Sequence, residues 1–211
     1  MHKLTIPTES GFSAQGYAFG SLKGSLTHIL DKIDAVLIAN GYSGPQVKMY
    51  LAGGMAVNFY CATRYTEDID ASFSRRLLLP YKDMQVAFID ESGVSSCIYL
   101  DANYNTSFAL MHEDFEDESI EWEGIGNEGR LVQLRVLHPL DLAISKIARY
   151  SEQDVDDILS LARQRYFSSD ELQSRSLDAL QYYVVDGGRH ARRPSQIISR
   201  AEILTQFSFG D

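Results

Sequence analysis

Asp68 and Asp70, two acids separated by a single residue, are where this sequence can do chemistry. On a strand, residues i and i+2 project from one face, so Asp68-Ile69-Asp70 predicts two carboxylates side by side. Such a pair repels itself and needs a counter-charge. A divalent cation supplies it, and oxygen-only ligands favour Mg²⁺. Two cations roughly 3.5–4 Å apart are the apparatus of in-line phosphoryl transfer. Upstream stand Gly53-Gly54, with thirteen residues between Gly54 and Asp68. A glycine pair at a strand-to-helix turn lets backbone approach a phosphate. A helix starting at Met55 offers free N–H groups and a positive dipole end to a triphosphate. An isolated Asp-x-Asp is common in acidic chains. Strand, Gly-Gly, helix, strand and Asp-x-Asp in about twenty residues is a far more specific combination.

The elements that must position these groups follow from periodicity. Leu22, Leu26, Ile29, Leu30, Ile33, Val36 and Leu37 predict an amphipathic helix over 22–40, stopped by Asn40-Gly41. Residues 48–52 read as a buried strand running into Gly53-Gly54, with a helix from Met55 to about Ala62. Residues 68–73 alternate and predict one continuous strand. Residues 75–90 are expected to form a helix and then a turn. Strands are expected over 96–101, near 120–125 and over 132–137. Pro139 stands where a helix can begin, and helices are expected over 139–150, 154–165, 169–184 and 194–206. The chain therefore divides near residue 138, with an α/β part over 1–138 and a helical part over 139–211.

Composition narrows the class. In 211 residues, 19 Lys and Arg face 29 Asp and Glu, a net charge of −10. That argues against a general nucleic-acid coat protein while leaving room for a local basic patch. Hydrophobic content of 45% and charged content of 23% are those of a globular chain, not a disordered one. No apolar run approaches a membrane span, and residues 1–7 lack the apolar core of a leader. Two cysteines, Cys61 and Cys97, suit neither a disulfide scaffold nor a zinc cage and fit a reduced, cytoplasmic protein.

Leu51-Ala-Gly-Gly-Met-Ala-Val57, Thr66-Glu-Asp-Ile-Asp70, His138 to Arg149 and Asp154-Val-Asp-Asp-Ile-Leu159 together resemble the polymerase-beta-like nucleotidyltransferase superfamily. Within it they are similar to the group holding AbiEii-type toxins and the DUF6036 nucleotidyltransferases. The resemblance spans residues 50–165. It implies a small mixed sheet with flanking helices, followed by a C-terminal helical bundle. It also implies transfer of a nucleoside monophosphate from an NTP to a hydroxyl with Mg²⁺, through a two-metal site. Asp68 and Asp70 then hold metal, and a third carboxylate is expected from a neighbouring strand, for which Asp101 is the candidate. Where the group commonly has Gly-Ser, this chain has Gly53-Gly54, so backbone N–H groups replace a hydroxyl. If the biology follows, the chain is the toxin of a toxin–antitoxin or phage-defence module, with tRNA or protein as acceptor and a cognate antitoxin as partner.

Lys146 stands among Leu140, Ala143, Ile144 and Ile147, where a lysine must snorkel or meet an anion. The resemblance turns it toward the nucleotide phosphates. Arg149, three residues on, can share that task, and an acid at Asp157 can hold the lysine. Asp154 is read as the cap of the next helix. Asp101-Ala-Asn-Tyr-Asn105 imitates a calcium loop but fails, with Thr106 where glycine is needed and His112 at the twelfth place. The Arg189–Arg193 stretch with Arg200 is a candidate phosphate-backbone contact. The acidic 113–123 run suits a cationic acceptor. Trp122 and Tyr182-Tyr183 are expected to pack, and no histidine is given a metal role. Two other classes stay open, a catalytically inactive binding or antitoxin-like module and an antibiotic-type small-molecule nucleotidyltransferase.

Overall fold

The computed structural model describes residues 22–62, 66–89, 93–101, 103–104, 109–182 and 194–205. The expectations for residues 1–7, Thr106, Tyr183 and the Arg189–Arg193 stretch lie outside them. Helix α1 (Leu22–Ala39) places Leu26, Ile29, Leu30, Ile33 and Leu37 in the core, as its 3,4-spacing requires. Strand β1 (Val47–Leu51) is almost wholly buried and leads into α2 (Gly53–Cys61).

The Asp68–Phe73 strand is not continuous. It splits into β2 (Asp68–Ile69) and β3 (Ala71–Phe73), which join different sheets. Ile69 and Ala71 both face the core, so the apolar alternation survives the break. The hydrogen-bond partners do not. The Ile69 carbonyl accepts from Asp101 N at 3.0 Å, while the Asp70 carbonyl accepts from Ala52 N at 2.8 Å. Asp70 is the point where the chain passes from one sheet to the other.

The described part of the 75–90 segment, residues 75–89, holds no α-helix. Pro80 interrupts them, Tyr81–Asp83 form one tight 3₁₀ turn, and β4 (Gln85–Ile89) follows. Within β4, Val86 and Phe88 turn inward while Gln85, Ala87 and Ile89 are exposed, the period-two pattern of a half-covered strand. Strand β5 (Ser95–Leu100) comes next, then the four-residue helix α3 (Phe115–Glu118) inside the acidic run, β6 (Ile120–Glu121) and β7 (Val132–Val136). The strand expected near 120–125 is only two residues long. Beyond it Gly124 and Gly126 take positive φ, and the Asn127 side chain bonds both backbone groups of Leu134, at 2.9 and 3.1 Å, in place of a strand partner. Trp122 packs on Phe59 with ring centroids 4.5 Å apart, just past β6.

One sheet has the order β3-β1-β7-β6, with β1 and β7 parallel and the outer pairs antiparallel. The other has the order β2-β5-β4, with β2 parallel to β5 and β4 antiparallel to it. After β7 come α4 (Pro139–Ile147), α5 (Glu152–Arg163), α6 (Ser169–Tyr182) and α7 (Pro194–Thr205). The architecture is mixed α/β, two small sheets with seven helices among the described residues. Helices α4 and α5 pack on α2, which brings Lys146 and Arg149 toward Asp70. No helix among the described residues is long and apolar enough to cross a membrane.

Candidate functional site

Gly53 opens α2 with a φ of +61°, and a Cβ built there would lie 1.8 Å from Asp70 Oδ2. The glycine is needed here because the carboxylate sits directly on its backbone. The close approach expected of a phosphate is, at this glycine, made by Asp70 itself. Substituting Gly53→Ala is expected to cost about 1–2 kcal/mol for the left-handed backbone and to push Asp70 out of place. A displacement of that kind lowers the rate of any reaction performed in the cleft on the order of 10²-fold. Chemical denaturation and an activity assay measure the two effects, and an unchanged variant in both would show that the Gly53–Asp70 contact is dispensable.

Asp70 and Asp101 share a cleft of about 220 Å³ with Gly53, Asn103, Tyr104, Ala109, Ser145, Lys146 and Arg149. Burial raises the Asp70 carboxyl above its ordinary pKa, and the negative charge of Asp101 raises it further, with Asp68 adding to the effect. Arg149 and Lys146 pull it down without prevailing. Asp70 is therefore an anion held at a cost by burial and by Asp101, and an oxygen-binding cation relieves such a group. Asp101 Oδ1 also accepts from Asn103 N at 2.8 Å, the turn contact typical of aspartate, and this leaves Asp101 among the residues lining the cleft.

The two cations are held from behind. Lys146 is buried, and its Nζ lies 2.8 Å from Asp157 Oδ2 and 3.9 Å from Asp154 Oδ1. Arg149 is largely exposed and grips Asp154 with both edges, Nε to Oδ2 at 2.8 Å and Nη2 to Oδ1 at 2.6 Å. Asp154 is not the cap of α5. Ser151 is, and Asp154 returns the bond to the Ser151 backbone three residues on, closing a capping box. The Ser151-x-x-Asp154 spacing carries that signal in the sequence.

Burial alone would raise the Asp154 carboxyl. Hydrogen bonds from Arg149 and Ser151, with the charge of Arg149, outweigh it and hold the group at about 2. A depressed folded-state pKa contributes stability that is complete above the unfolded value and is lost as pH falls through the folded one. The contribution is about 2 kcal/mol at most, because Arg149 faces solvent. In Asp154→Asn the stability deficit relative to wild type should shrink as pH falls from about 4 to about 2. Urea titrations at stepped pH measure it, and a gap constant across that window would show that the pair does not act this way.

Three expected site residues stand outside the cleft lining. Asp157 is buried behind Lys146. Gly54 is buried within α2. Asp68 is exposed and meets the Tyr99 hydroxyl across β2 and β5, and this carboxylate pushes the Tyr99 phenol up to about 12. Conversely Asn103, Tyr104, Ala109 and Ser145 line the cleft with no sequence signal to announce them. Burial, with Asp70 nearby, raises the Tyr104 phenol.

Arg200 is engaged within the fold. Its Nη1 donates to the Ile147 and Ala148 carbonyls at 3.0 and 2.9 Å, and its guanidinium lies over the Tyr150 ring. It is a cation set at the C-terminal end of α4, where the helix dipole favours one. The acidic run is likewise partly committed, with Glu116 accepting from the Tyr50 hydroxyl, Glu118 from Arg175 and Glu121 from Asn127.

Among the described residues, one trio brings metal-binding atoms within 4.8 Å of one another, namely Glu118, His138 and Asp141. The carboxylates of Asp68, Asp70 and Asp101 do not all come that close. Arg175 already serves the trio, with Nε and Nη2 on the two Asp141 oxygens at 2.9 and 2.8 Å and Nη2 on Glu118 at 2.7 Å. His138 caps α4 instead, its Nδ1 accepting from Leu140 N at 3.4 Å.

A family model described as a nucleotidyltransferase of unknown function, DUF6036, matches residues 26–203. The match takes in both sheets, the helices that carry Lys146 and Asp157, and Arg149 between them. No curated protein and no solved structure matches the chain.

Proposed function

This chain belongs to the DUF6036 family of nucleotidyltransferases, and on that premise we propose that it transfers a nucleoside monophosphate from an NTP to a hydroxyl, releasing pyrophosphate. The observation that carries the reading is the opposition of Asp70 and Asp101 to Lys146 and Arg149 in one cleft. Acids and cations facing each other are what a metal-bound triphosphate requires. The donor set fits Mg²⁺, being oxygen-only and anionic, with the Asp70 carboxylate destabilised by burial and by its neighbour's charge. Asp70 and Asp101 would hold it, with Asp68 as the third carboxylate. When bound, it supplies charge neutralisation at the transferred phosphate and lowers the pKa of the attacking hydroxyl.

The chain's own groups do the rest. Lys146 and Arg149 bind the outer phosphates, and the buried ammonium stabilises charge gathering on the leaving pyrophosphate. The start of α2 carries no side-chain cap, and its positive dipole end favours the anions of the cleft. Gly53 keeps Asp70 against that backbone. Asp157 acts through Lys146, as its anchor.

In this reading the fold is of the polymerase-beta-like kind, with an α/β domain to residue 138 and a helical domain over 139–211. The chain works in the cytoplasm as the toxin of a toxin–antitoxin or phage-defence module, with tRNA or a protein as acceptor and an antitoxin as partner. The motif resemblance to AbiEii-type toxins supports this last part.

The test is incubation with each α-³²P-labelled NTP, Mg²⁺, total RNA and cell protein, beside Asp70→Asn. Label in a macromolecular band, lost in the variant, is expected and names the base and the acceptor class. No label with any NTP, together with no NTP-dependent rise in Tm, would overturn the reading.

A further inference from the structure

Side-chain hydroxyls stand at this site as well as acids. Ser145 lines the cleft, but its Oγ donates to the Leu142 carbonyl at 2.7 Å within α4. Tyr104 lines it too and is packed against the core. Tyr99 is different, with 40% of its surface exposed. It lies directly across from Asp68 in the parallel β2–β5 register, and its hydroxyl meets the Asp68 carboxylate. It also precedes Asp101 by two residues, and the Asp101 N–H donates to the Ile69 carbonyl at 3.0 Å as the Tyr99 N–H does to the Glu67 carbonyl at 2.9 Å, so the ladder runs on past the end of β5 and the two share a face. Asp101 in turn sits close enough to Asp70 to shift its carboxyl. A phenol thus stands in one row with Asp68, Asp70 and Asp101.

We propose that Tyr99 is a modification site, and that the chain transfers one nucleoside monophosphate from a bound NTP to its own Tyr99 oxygen. The proposal rests on the nucleotidyl-transfer reading and adds an acceptor to it. The phenol oxygen forms a bond to the α-phosphorus, and the bond from that phosphorus to the bridging oxygen of the β-phosphate breaks. Pyrophosphate leaves with the electron pair, while the phenol proton passes to the solvent that Tyr99 faces. The product is a phosphodiester on Tyr99. It sets a new negative charge beside Asp68, so the modified site repels a second metal-bound NTP and the reaction stops at one group per chain.

The experiment is incubation of the whole chain with Mg²⁺ and each α-labelled NTP in turn, without an added acceptor. Intact mass, fragment mapping and pyrophosphate release are followed together. One nucleoside monophosphate per chain is expected, mapped to Tyr99, at a rate per chain independent of protein concentration. The Tyr99→Phe variant should lose the label and keep the NTP-dependent rise in Tm. Label mapped to another residue overturns the proposal. So does pyrophosphate release, or label passed to added RNA or protein, while Tyr99 stays unmodified, and those outcomes leave nucleotidyl transfer standing. No pyrophosphate release and no NTP-dependent Tm shift overturn the proposal and that underlying reading together.

Discussion

Asp70→Asn is expected to lose nucleotidyl transfer by roughly 10³-fold or more and, in the same variant, to raise Tm. The two effects have one cause. Asp70 is half-buried against Gly53, and burial with the charge of Asp101 lifts its carboxyl above the ordinary value. An acid whose folded pKa is raised binds its proton more tightly when folded. Stability therefore falls as pH rises from the unfolded value through the folded one, and at neutral pH the ionised group destabilises the chain. Asparagine keeps the shape and removes the charge. In a chain of this size, each kcal/mol relieved raises Tm by about 2–4 °C. Wild type should gain stability as pH drops through that window, and the variant should not. Mg²⁺ should raise the Tm of wild type at neutral pH and affect the variant much less, since the charge that attracts it is gone. Calorimetry across pH with and without Mg²⁺, beside pyrophosphate release, reads all of this. A variant that is less stable than wild type, or that keeps its activity, would refute the account of Asp70 as a charged group strained for function.

What periodicity and motif spacing reveal here is local. Helix α1 declares itself through Leu26, Ile29, Leu30, Ile33 and Leu37, and the β1–Gly53–α2 turn through an apolar run ending in glycine. The Lys146–Asp157 pair is within reach of sequence reasoning because a lysine in an apolar stripe needs an anion, and adjoining helices supply one. The break at Asp70 is not legible, because Ile69 and Ala71 keep a strand's alternation while their backbone partners switch from β5 to β1. Side-chain period reports which face is buried, not which strand supplies the hydrogen bonds. The 75–90 segment fails for a related reason, since four or five alternating residues in β4 give a weak signal beside Pro80 and a charged turn. Tyr104 and Ser145 reach the cleft by tertiary placement alone. Arg200 looks like surface charge in sequence and is an end-group of α4 in space.

Lys146→Met should destabilise the chain by about 3–5 kcal/mol, the loss typical of breaking a buried ion pair by removing one partner. The reason lies in what is left behind. Asp157 is buried with its Oδ2 on the ammonium and its Oδ1 accepting from Gln153 Nε2 at 3.2 Å. Asp154, fully buried, lies 3.9 Å from the same ammonium and retains Arg149. Removing the lysine takes away the ammonium that balances the buried Asp157 charge. The penalty then belongs chiefly to the buried acid that has lost its counter-charge, so Lys146→Met/Asp157→Asn should regain much of the stability, with a coupling energy well outside the additive range. Activity should separate from stability in this pair. The double variant regains the fold and remains inactive, because no ammonium faces the phosphates. Asp157→Asn alone keeps a hydrogen bond to the ammonium and should weaken NTP binding far less than the loss of the lysine. Urea denaturation of the four chains gives the cycle, and pyrophosphate release gives the activity. A double variant as unstable as the single one would show that the buried charge is not what the lysine balances. One that regained activity would show that Lys146 serves the fold and not the nucleotide.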